Sequence, residues 1–135
     1  MNTAAQQPLT SRSNSVSKQI VRVAYTPDSD DAFNYYAWEH GRIELTNHQA
    51  SFHRDHIIAL NHAAQNEQFD VVAVSSVQYP SLADRYWILA VGNSVGRGYG
   101  PVLVSRDVKD IENLRGRTIA VVGIPTTGAA LAAMF

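Results

Sequence analysis

Short segments typical of β-strands alternate along this chain with single segments typical of helices. The clearest strands are QIVRVAY, residues 19–25, and DVVAVS, residues 70–75, because both are rich in β-branched side chains. Helical patterns lie at residues 29–40, from Asp55 onward, and at about residues 77–84. Strands separated by single helices imply right-handed crossovers on a mixed, mostly parallel sheet. The alternation therefore predicts an α/β fold with flanking helices.

Less regular segments complete the predicted alternation. RIELTNHQASFHR, residues 42–54, predicts a strand or a hairpin, and Asp55 is placed to cap the helix that follows. PVLVSRD, residues 101–107, and TIAVVG, residues 118–123, predict two further strands before an Ala-rich helix. That helix runs to Phe135 without a glycine or polar cap, so we expect the chain to be the N-terminal part of a longer protein.

The first predicted helix has an apolar stripe and a defined end. The i, i+3, i+4, i+7 spacing of one helix face is met by Phe33, Tyr36, Ala37 and His40. Gly41 stands where a glycine with positive φ commonly closes a helix.

Composition excludes several classes of function. The chain has 135 residues, a formal net charge of -1 and 45% hydrophobic residues, the balance of a soluble globular domain with one core. Near-zero charge without a basic run gives no electrostatic footprint for nucleic acid, and no apolar stretch approaches the ~20 residues that span a bilayer. Cysteine is absent, which excludes disulfides and zinc-thiolate sites.

The first residues differ in composition from the rest of the chain. Residues 1–18 are rich in Ser, Asn, Gln and Thr and lack apolar periodicity, which predicts a disordered tail. They contain no apolar h-region of a secretory signal, so a cytoplasmic location is expected.

Acidic residues are concentrated where the first strand meets the first helix. TPDSDDAF, residues 26–33, contains Asp28, Ser29, Asp30 and Asp31. Asp28 or Ser29 can cap the helix, and the other two carboxylates oppose the positive end of its dipole. Capping and the helix dipole are enough to explain one or two of these residues, and three carboxylates in four positions exceed that need. Ligands bind at the carboxyl edge of α/β sheets, where this turn lies. A magnesium site of the D-x-D-D kind is a weaker alternative, because no other acidic cluster follows.

Two pairs of hydroxyl residues follow later strands. Ser75 and Ser76 end DVVAVSS, and they are equally well explained as helix caps or as ligand contacts. Thr126 and Thr127 stand at the start of the last helix, where free backbone amides predict a site for a carboxylate or a phosphate. We expect both pairs to face one cleft with the acidic turn.

The glycine stretch GNSVGRGYGP, residues 92–101, lacks the features of a phosphate-binding loop. It has no Gly-Lys-Ser/Thr ending, and its glycines do not fit the G-x-G-x-x-G pattern. A sharp bend is predicted instead, with Arg97 either solvated or clamping an acid. Five histidines occur in the chain, but none of the zinc spacings is met, so no metal site is predicted.

Four motifs occur in the order found in one enzyme family. They are VAYTPDSDDAFNYYAWEHGRIEL, DVVAVSSVQYPSLADRY, GRGYGPVLVSRD and GIPTTGAALAAMF. From about residue 21 to residue 135, the chain resembles the 1,4-dihydroxy-6-naphthoate synthase family of the futalosine menaquinone pathway. The resemblance implies the fold of type II periplasmic binding proteins, in which two α/β lobes enclose a ligand. Residues 19–100 would form lobe one, residues 101–117 the crossover and linker, and residues 118–135 the truncated start of lobe two.

The same resemblance implies a reaction and a set of contacts. Enzymes of the family convert cyclic dehypoxanthine futalosine to 1,4-dihydroxy-6-naphthoate without a metal or organic cofactor, using a histidine as base. The corresponding histidine would lie beyond Phe135. The implied contacts with this small-molecule substrate are Asp28, Ser29, Asp30, Asp31, Ser75, Thr126 and Thr127.

Two departures from the family pattern affect these contacts. Family members carry Cys-Pro-Asn-Asp-Thr-Phe where this chain has TPDSDDAF, and a lysine where it has Ala73. The loss of a cation and the gain of acids change the interaction energy of an anionic substrate with the site by about 1 kcal/mol per exposed charge at about 4 Å. The identity of the substrate is therefore left open. A transporter's substrate-binding protein on the same scaffold is the alternative, and the absence of a signal peptide favours the enzyme.

Overall fold

The structure is a computed structural model that describes residues 18–134. Its elements are the strands β1 (Gln19–Tyr25), β2 (His48–Arg54) and β3 (Val71–Val72), the α-helices α1 (Ser29–Glu39), α2 (Ile57–Gln65) and α3 (Thr127–Ala132), and 3-10 helices at Ser76–Ser81 and Ile111–Leu114. The tail predicted for residues 1–18 lies outside the described residues except for Lys18.

The three strands form one parallel sheet in the order β2-β1-β3. β1 is central, and its Val23 pairs with Phe52 on one side and with Val71 on the other. α1 connects β1 to β2, and α2 connects β2 to β3. The predicted α/β class, with strands joined by single helices on a mostly parallel sheet, is therefore confirmed.

The core forms where β1 meets α2. Val23, Ala24 and Tyr25 are consecutive and fully buried, so both faces of β1 are covered at its carboxyl end. Leu60 and Ala64 lie one turn apart on α2 and are buried with them. Burial on both faces explains why this part of β1 is continuously apolar rather than alternating.

Two polar clusters join β1 to its neighbours. The Tyr25 hydroxyl donates to the Glu39 carboxylate on α1, and Arg54 on β2 donates both to Glu39 and, at 2.9 Å, to the Tyr25 oxygen. The hydrogen bond from the Tyr25 hydroxyl, and to a smaller extent that from Arg54, holds the pKa of Glu39 below its usual range. On the other side, Arg22 donates through Nε and Nη2 to the Asp70 carboxylate at 3.1 and 2.9 Å.

The face of α1 that packs against the sheet is not the predicted stripe. Phe33 and Tyr36 are 83% and 58% exposed. The inward residues are Tyr35, which stacks on Tyr25 with 4.7 Å between ring centroids, and Trp38, which packs edge-on against a β2 phenylalanine at 5.5 Å. α1 carries aromatic residues on two stripes, and the contact with the sheet selected the one that periodicity did not.

The end of α1 is confirmed at Gly41. Its φ is 65°, and its N–H donates to the Trp38 carbonyl at 3.1 Å. The N–H of Arg42 donates to the Ala37 carbonyl at 2.7 Å, which completes a Schellman motif.

Several predicted boundaries are corrected by the structure. His56, not Asp55, occupies the N-cap position of α2, and Asp55 accepts a hydrogen bond from the His56 N–H at 2.7 Å. Residues 42–47 lie outside β2, and β3 spans Val71–Val72 rather than residues 70–75. The helix expected at residues 77–84 is a 3-10 helix that contains Pro80, which has no N–H for an α-helical bond.

The strands predicted at residues 101–107 and 118–123 are wrong, because neither segment has strand structure. A strand needs a neighbour to satisfy its backbone groups, and neither segment pairs with the three-stranded sheet. Their apolar side chains are instead exposed, by 81% at Val102, 92% at Val104 and 79% at Val122. Within residues 18–134, no helix is long and apolar enough to cross a membrane.

Candidate functional site

The carboxyl ends of β1 and β3 open onto one cleft of about 1060 Å3. The cleft is lined by residues 71–74, which include β3 and its continuation, and by most of residues 86–95. Where β1 ends, the cleft is lined by Thr26, Asp28, Asp30 and Asp31. This is the edge at which parallel α/β sheets bind ligands.

Asp31 holds the turn between β1 and α1. Its Oδ2 accepts hydrogen bonds from the Thr26 N–H at 3.0 Å and from the Thr26 hydroxyl at 2.8 Å. Thr26 is buried, so Asp31 satisfies both of its polar groups. This carboxylate is therefore largely committed to the fold, although it lines the cleft.

Asp28 and Asp30 present exposed carboxylates to the cleft. Asp28 occupies the N-cap position of α1, as predicted, but its side chain makes no capping hydrogen bond. The hydroxyl of Ser94, followed by nearby backbone amides, lowers the pKa of Asp30. Asp30 is therefore ionised at neutral pH and acts as a hydrogen-bond acceptor. Ser29 begins α1, is exposed and lies outside the cleft lining.

Ser75 and Ser76 point to different surroundings. Ser75 occupies the N-cap position of the 3-10 helix but makes no capping bond with its side chain. Its hydroxyl instead accepts a hydrogen bond from Asn61 Nδ2 at 3.2 Å, and its N–H donates to Asn61 Oδ1 at 3.0 Å. Ser76 is exposed and lines the cleft.

Thr126 and Thr127 lie at the start of α3, as predicted. The buried Thr126 caps this helix, because its Oγ1 accepts from the Ala129 N–H at 3.3 Å. The same hydroxyl donates to the Gly123 carbonyl at 2.7 Å. Neither threonine lines the cleft, and α3 packs instead against the 3-10 helix that follows Ser75. Arg97 is exposed and also lies outside the cleft lining.

Sequence reasoning did not single out the two arginines that line the cleft. Arg22 and Arg85 line it, and both are held by other groups. Arg22 pairs with Asp70 at 2.9 Å, while Arg85 Nη1 donates to the Gln65 carbonyl at 2.7 Å. The sequence contained one signal for Arg22, which is a charged residue between β-branched neighbours in a predicted strand. A charge in that position requires a partner of opposite charge.

Two parts of the cleft lining suit different chemical groups. Exposed carboxylates at Asp28 and Asp30 accept hydrogen bonds, so they suit ligand hydroxyl groups rather than anions. Trp87, Ile88 and Leu89 also line the cleft, and Trp87 is 93% exposed. Such a surface suits an aromatic or other apolar ring. The arrangement therefore favours a small molecule with both a flat apolar part and hydroxyl groups.

No group of three or more His, Asp or Glu side chains within residues 18–134 is arranged to hold a metal ion. In the D-x-D-D motif, the Thr26 hydroxyl lies 2.8 Å from Asp31 Oδ2 and 3.4 Å from Asp28 Oδ2, so both carboxylates contact this hydroxyl. His53 stacks on Phe69 at 5.3 Å and lies 3.7 Å from Asp55, away from the cleft lining.

Comparison with known proteins identifies relatives over most of the chain. A model of a family described as menaquinone biosynthesis matches residues 21–135. A 1,4-dihydroxy-6-naphthoate synthase from Thermus thermophilus is 31% identical over 117 residues, which are 87% of this chain and 42% of that protein. A synthase of the same name from Streptomyces coelicolor is 33% identical over 106 residues, 78% of this chain and 36% of that protein.

A solved structure is also similar to this chain. The crystal structure of a protein from Archaeoglobus fulgidus shares 44% sequence identity, with a TM-score of 0.58. The likeness covers 62% of this chain and 31% of that one. The chain thus spans less than half the length of each of these relatives.

Proposed function

The chain belongs to the menaquinone biosynthesis family, and from that premise we propose that it is the N-terminal, substrate-binding part of a naphthoate synthase-like enzyme. The whole enzyme would release 1,4-dihydroxy-6-naphthoate from cyclic dehypoxanthine futalosine in a lyase-type reaction. The observation that carries the proposal is the family match over residues 21–135, supported by two relatives named as 1,4-dihydroxy-6-naphthoate synthase.

The chemistry of the cleft supports this substrate class. The substrate joins an aromatic carboxylic acid to a sugar-derived part that carries hydroxyl groups. Ionised Asp30 and exposed Asp28 offer acceptors for hydroxyl groups, and the apolar wall at residues 87–89 offers a surface for a ring.

We propose contacts at each of the predicted site residues, with different tasks. Asp28, Asp30 and Ser76 line the cleft and would contact the ligand directly. Asp31 and Ser75 are bonded to Thr26 and Asn61, so their contribution would include holding the turns in place. The remaining proposed contacts are Ser29, Thr126, Thr127 and Arg97.

The two-lobed architecture is part of the proposal. Residues 19–100 would form lobe one of a type II periplasmic-binding-protein fold, residues 101–117 the crossover and linker, and residues 118–135 the start of lobe two. The lengths of the relatives support this division, since the matches of 117 and 106 residues cover 42% and 36% of the two synthases. The base would then lie outside this chain, which would be inactive alone, and the enzyme would act in the cytoplasm without a cofactor.

A transporter-type binding protein on the same scaffold is less well supported. The relatives that match this chain are named as synthases.

A chimeric enzyme tests the proposed function. Residues 21–135 would replace the matching part of the Thermus thermophilus synthase, and purified chimera would be incubated with cyclic dehypoxanthine futalosine. We expect 1,4-dihydroxy-6-naphthoate to form, as measured by chromatography, while the 135-residue chain alone produces none. A folded chimera without product would contradict the proposed reaction. Turnover by the chain alone would contradict the placement of the base outside it.

Substitution of Asp30 tests the proposed contacts in the same chimera. Asp30→Ala is expected to raise KM at least about tenfold, because a hydroxyl acceptor is lost from the cleft wall. Asp107→Ala, at an exposed position outside the cleft lining, is the matched control and should leave KM unchanged. Equal KM values for the two variants would remove Asp30 from the site.

A further inference from the structure

Asn61 is a polar side chain in the core of the molecule. It lies on α2 and is 0% exposed, although asparagine is mostly found at protein surfaces. Its Oδ1 accepts from the Ser75 N–H at 3.0 Å, and its Nδ2 donates to the Ser75 hydroxyl at 3.2 Å and to the Pro125 carbonyl at 2.7 Å. One side chain therefore bridges the N-cap of the 3-10 helix at Ser76–Ser81 and the turn before α3.

A second contact holds the same turn against α2. Gly123 has a φ of 142°, and a Cβ at this position would lie 2.9 Å from Ile58 Cδ1. Ile58 and Asn61 are three residues apart, so they lie on neighbouring positions of one α2 face. The helix thus contacts residues 123–125 at both ends of that short segment.

The position of this segment determines the start of α3. Thr126 follows Pro125 directly, donates to the Gly123 carbonyl at 2.7 Å and caps α3 through the Ala129 N–H. On the other side, Ser75 leads into the 3-10 helix against which α3 packs. Asn61 therefore lies between two segments that carry proposed substrate contacts, although they are about 50 residues apart in sequence.

We propose that Asn61 is a positioning residue that sets Ser75 and the Thr126–Thr127 turn relative to each other for one ligand. The inference rests on the proposed function, because that function gives the segments at Ser75 and at Thr126–Thr127 a common substrate. Asparagine is suited to the task, since its short side chain supplies two donors and an acceptor together. Aspartate lacks the two N–H donors, and alanine lacks the donors and the acceptor.

The first test uses the unaltered 135-residue chain and needs no substitution. In an NMR spectrum of isotope-labelled protein, we expect nuclear Overhauser contacts from the Asn61 side-chain amide hydrogens to the α-hydrogens of Pro125 or Thr126, together with slow exchange of those amide hydrogens. Their absence in a folded sample would overturn the proposal.

The second test measures how far a change at Asn61 reaches. In Asn61→Asp, the donors to Ser75 and Pro125 are lost, so the backbone amide signals of Ser75, Thr126 and Thr127 should all shift. The affinity of the Asn61→Asp chain for 1,4-dihydroxy-6-naphthoate, measured by titration, should be at least about tenfold lower than that of the unaltered chain. Shifts confined to α2, with Thr126 and Thr127 unchanged, would contradict the positioning role.

Two control variants separate positioning from general loss of stability or a charge change. Asn66→Asp makes the same chemical change at the exposed end of α2, where Asn66 Nδ2 donates only locally to the His62 carbonyl. Ala63→Gly weakens α2 without touching Ser75 or Pro125. Both variants should leave the Thr126 and Thr127 signals and the naphthoate affinity unchanged. A loss of affinity in Ala63→Gly as large as that in Asn61→Asp would contradict the positioning role, because general loss of stability would then explain both.

The outcomes also separate this inference from the proposed function. If the unaltered chain and the chimera both fail to bind naphthoate, the proposed function is wrong, while the NMR contacts still test the bridge. If the chimera is active but Asn61→Asp keeps its affinity and its Thr126 signal, the positioning role alone is wrong.

Discussion

Neighbouring carboxylates in the first turn have different environments. Asp31 accepts two hydrogen bonds from the buried Thr26, whereas Asp30 is exposed at the wall of the cleft. The acidic turn therefore combines a structural acid with acids available to a ligand, which residue type alone does not distinguish.

Removing the structural acid is expected to destabilise the protein. Asp31→Ala leaves the Thr26 N–H without its partner and the Thr26 hydroxyl with the longer contact to Asp28 Oδ2 at 3.4 Å. The free energy of unfolding should therefore fall by about 1–3 kcal/mol. Asp30→Ala should change it by no more than about 0.5 kcal/mol, as is usual at an exposed position. Urea denaturation of both variants checks this, and equal losses would show that the two carboxylates share one role.

The ion pair between Arg22 and Asp70 predicts a pH dependence of stability. Hydrogen bonds from the Arg22 side chain, followed by its backbone N–H, lower the pKa of Asp70 from 3.8 to about 2. A lowered pKa means that the pair stabilises the fold above the ordinary value of 3.8, and that this stability is lost as the pH falls toward 2. Both side chains are nearly half exposed, which limits the contribution to about 1 kcal/mol or less.

Comparison with Asp70→Asn measures this contribution. The difference in unfolding free energy between the unaltered chain and the variant should be present at neutral pH and shrink toward zero near pH 2. Asp107→Asn, at an exposed position, should show no such trend. A difference that stays constant across the titration would mean that Asp70 acts through shape rather than charge.

At the scale of elements, two glycines at helix ends should respond oppositely to the same substitution. Gly41 ends α1 with a φ of 65°, where a Cβ is strained even though no atom lies within 4 Å of its ideal position. Gly128 lies inside α3 with no atom within 4 Å of its ideal Cβ and no positive φ. Neither position has an atom that would obstruct a Cβ, so the backbone conformation is the difference that matters for this substitution.

Gly41→Ala is expected to lower the free energy of unfolding by about 1–2 kcal/mol, the cost of a left-handed conformation for a residue with a Cβ. Gly128→Ala is expected to raise it by about 0.5–1 kcal/mol, since alanine is the better helix former. Thermal denaturation of both variants tests the pair. A stabilised Gly41→Ala would mean that α1 does not end in the Schellman geometry.

At the scale of the whole molecule, the largest departure from an ordinary globular domain is the exposed apolar surface of residues 87–104. Trp87, Val91 and Val104 are 93%, 77% and 92% exposed. Monomeric proteins rarely leave so many neighbouring apolar side chains in water. In the proposed enzyme, the second lobe would cover part of this surface.

The isolated chain is therefore expected to self-associate. Burial of apolar surface favours association by roughly 25 cal/mol per Å2, so light scattering should show a mass that rises with protein concentration. Val104→Lys should reduce this association without lowering the melting temperature, because the side chain is almost fully exposed. Phe33→Lys, at an exposed position on α1 outside residues 87–104, is the control and should have little effect. A monomer at all concentrations would contradict the prediction.

The local order of elements was determined by sequence alone. β-Branched segments predicted β1 and the region of β3, helical periodicity predicted α1 and α2, and Gly41 marked the end of α1. These features depend on backbone preferences and neighbouring residues, so they are visible in short windows of sequence. The four motifs similarly predicted the family, which the match over residues 21–135 confirms.

Only the tertiary structure decided which predicted features act together. It placed the Phe33 stripe of α1 toward solvent, turned Asp31 toward Thr26, and left residues 101–107 and 118–123 without strand partners. It also joined Asn61 to Ser75 and Pro125, which are 14 and 64 residues away in sequence. Such contacts depend on how the elements pack, and a local pattern of residue types contains no information about a partner so distant along the chain.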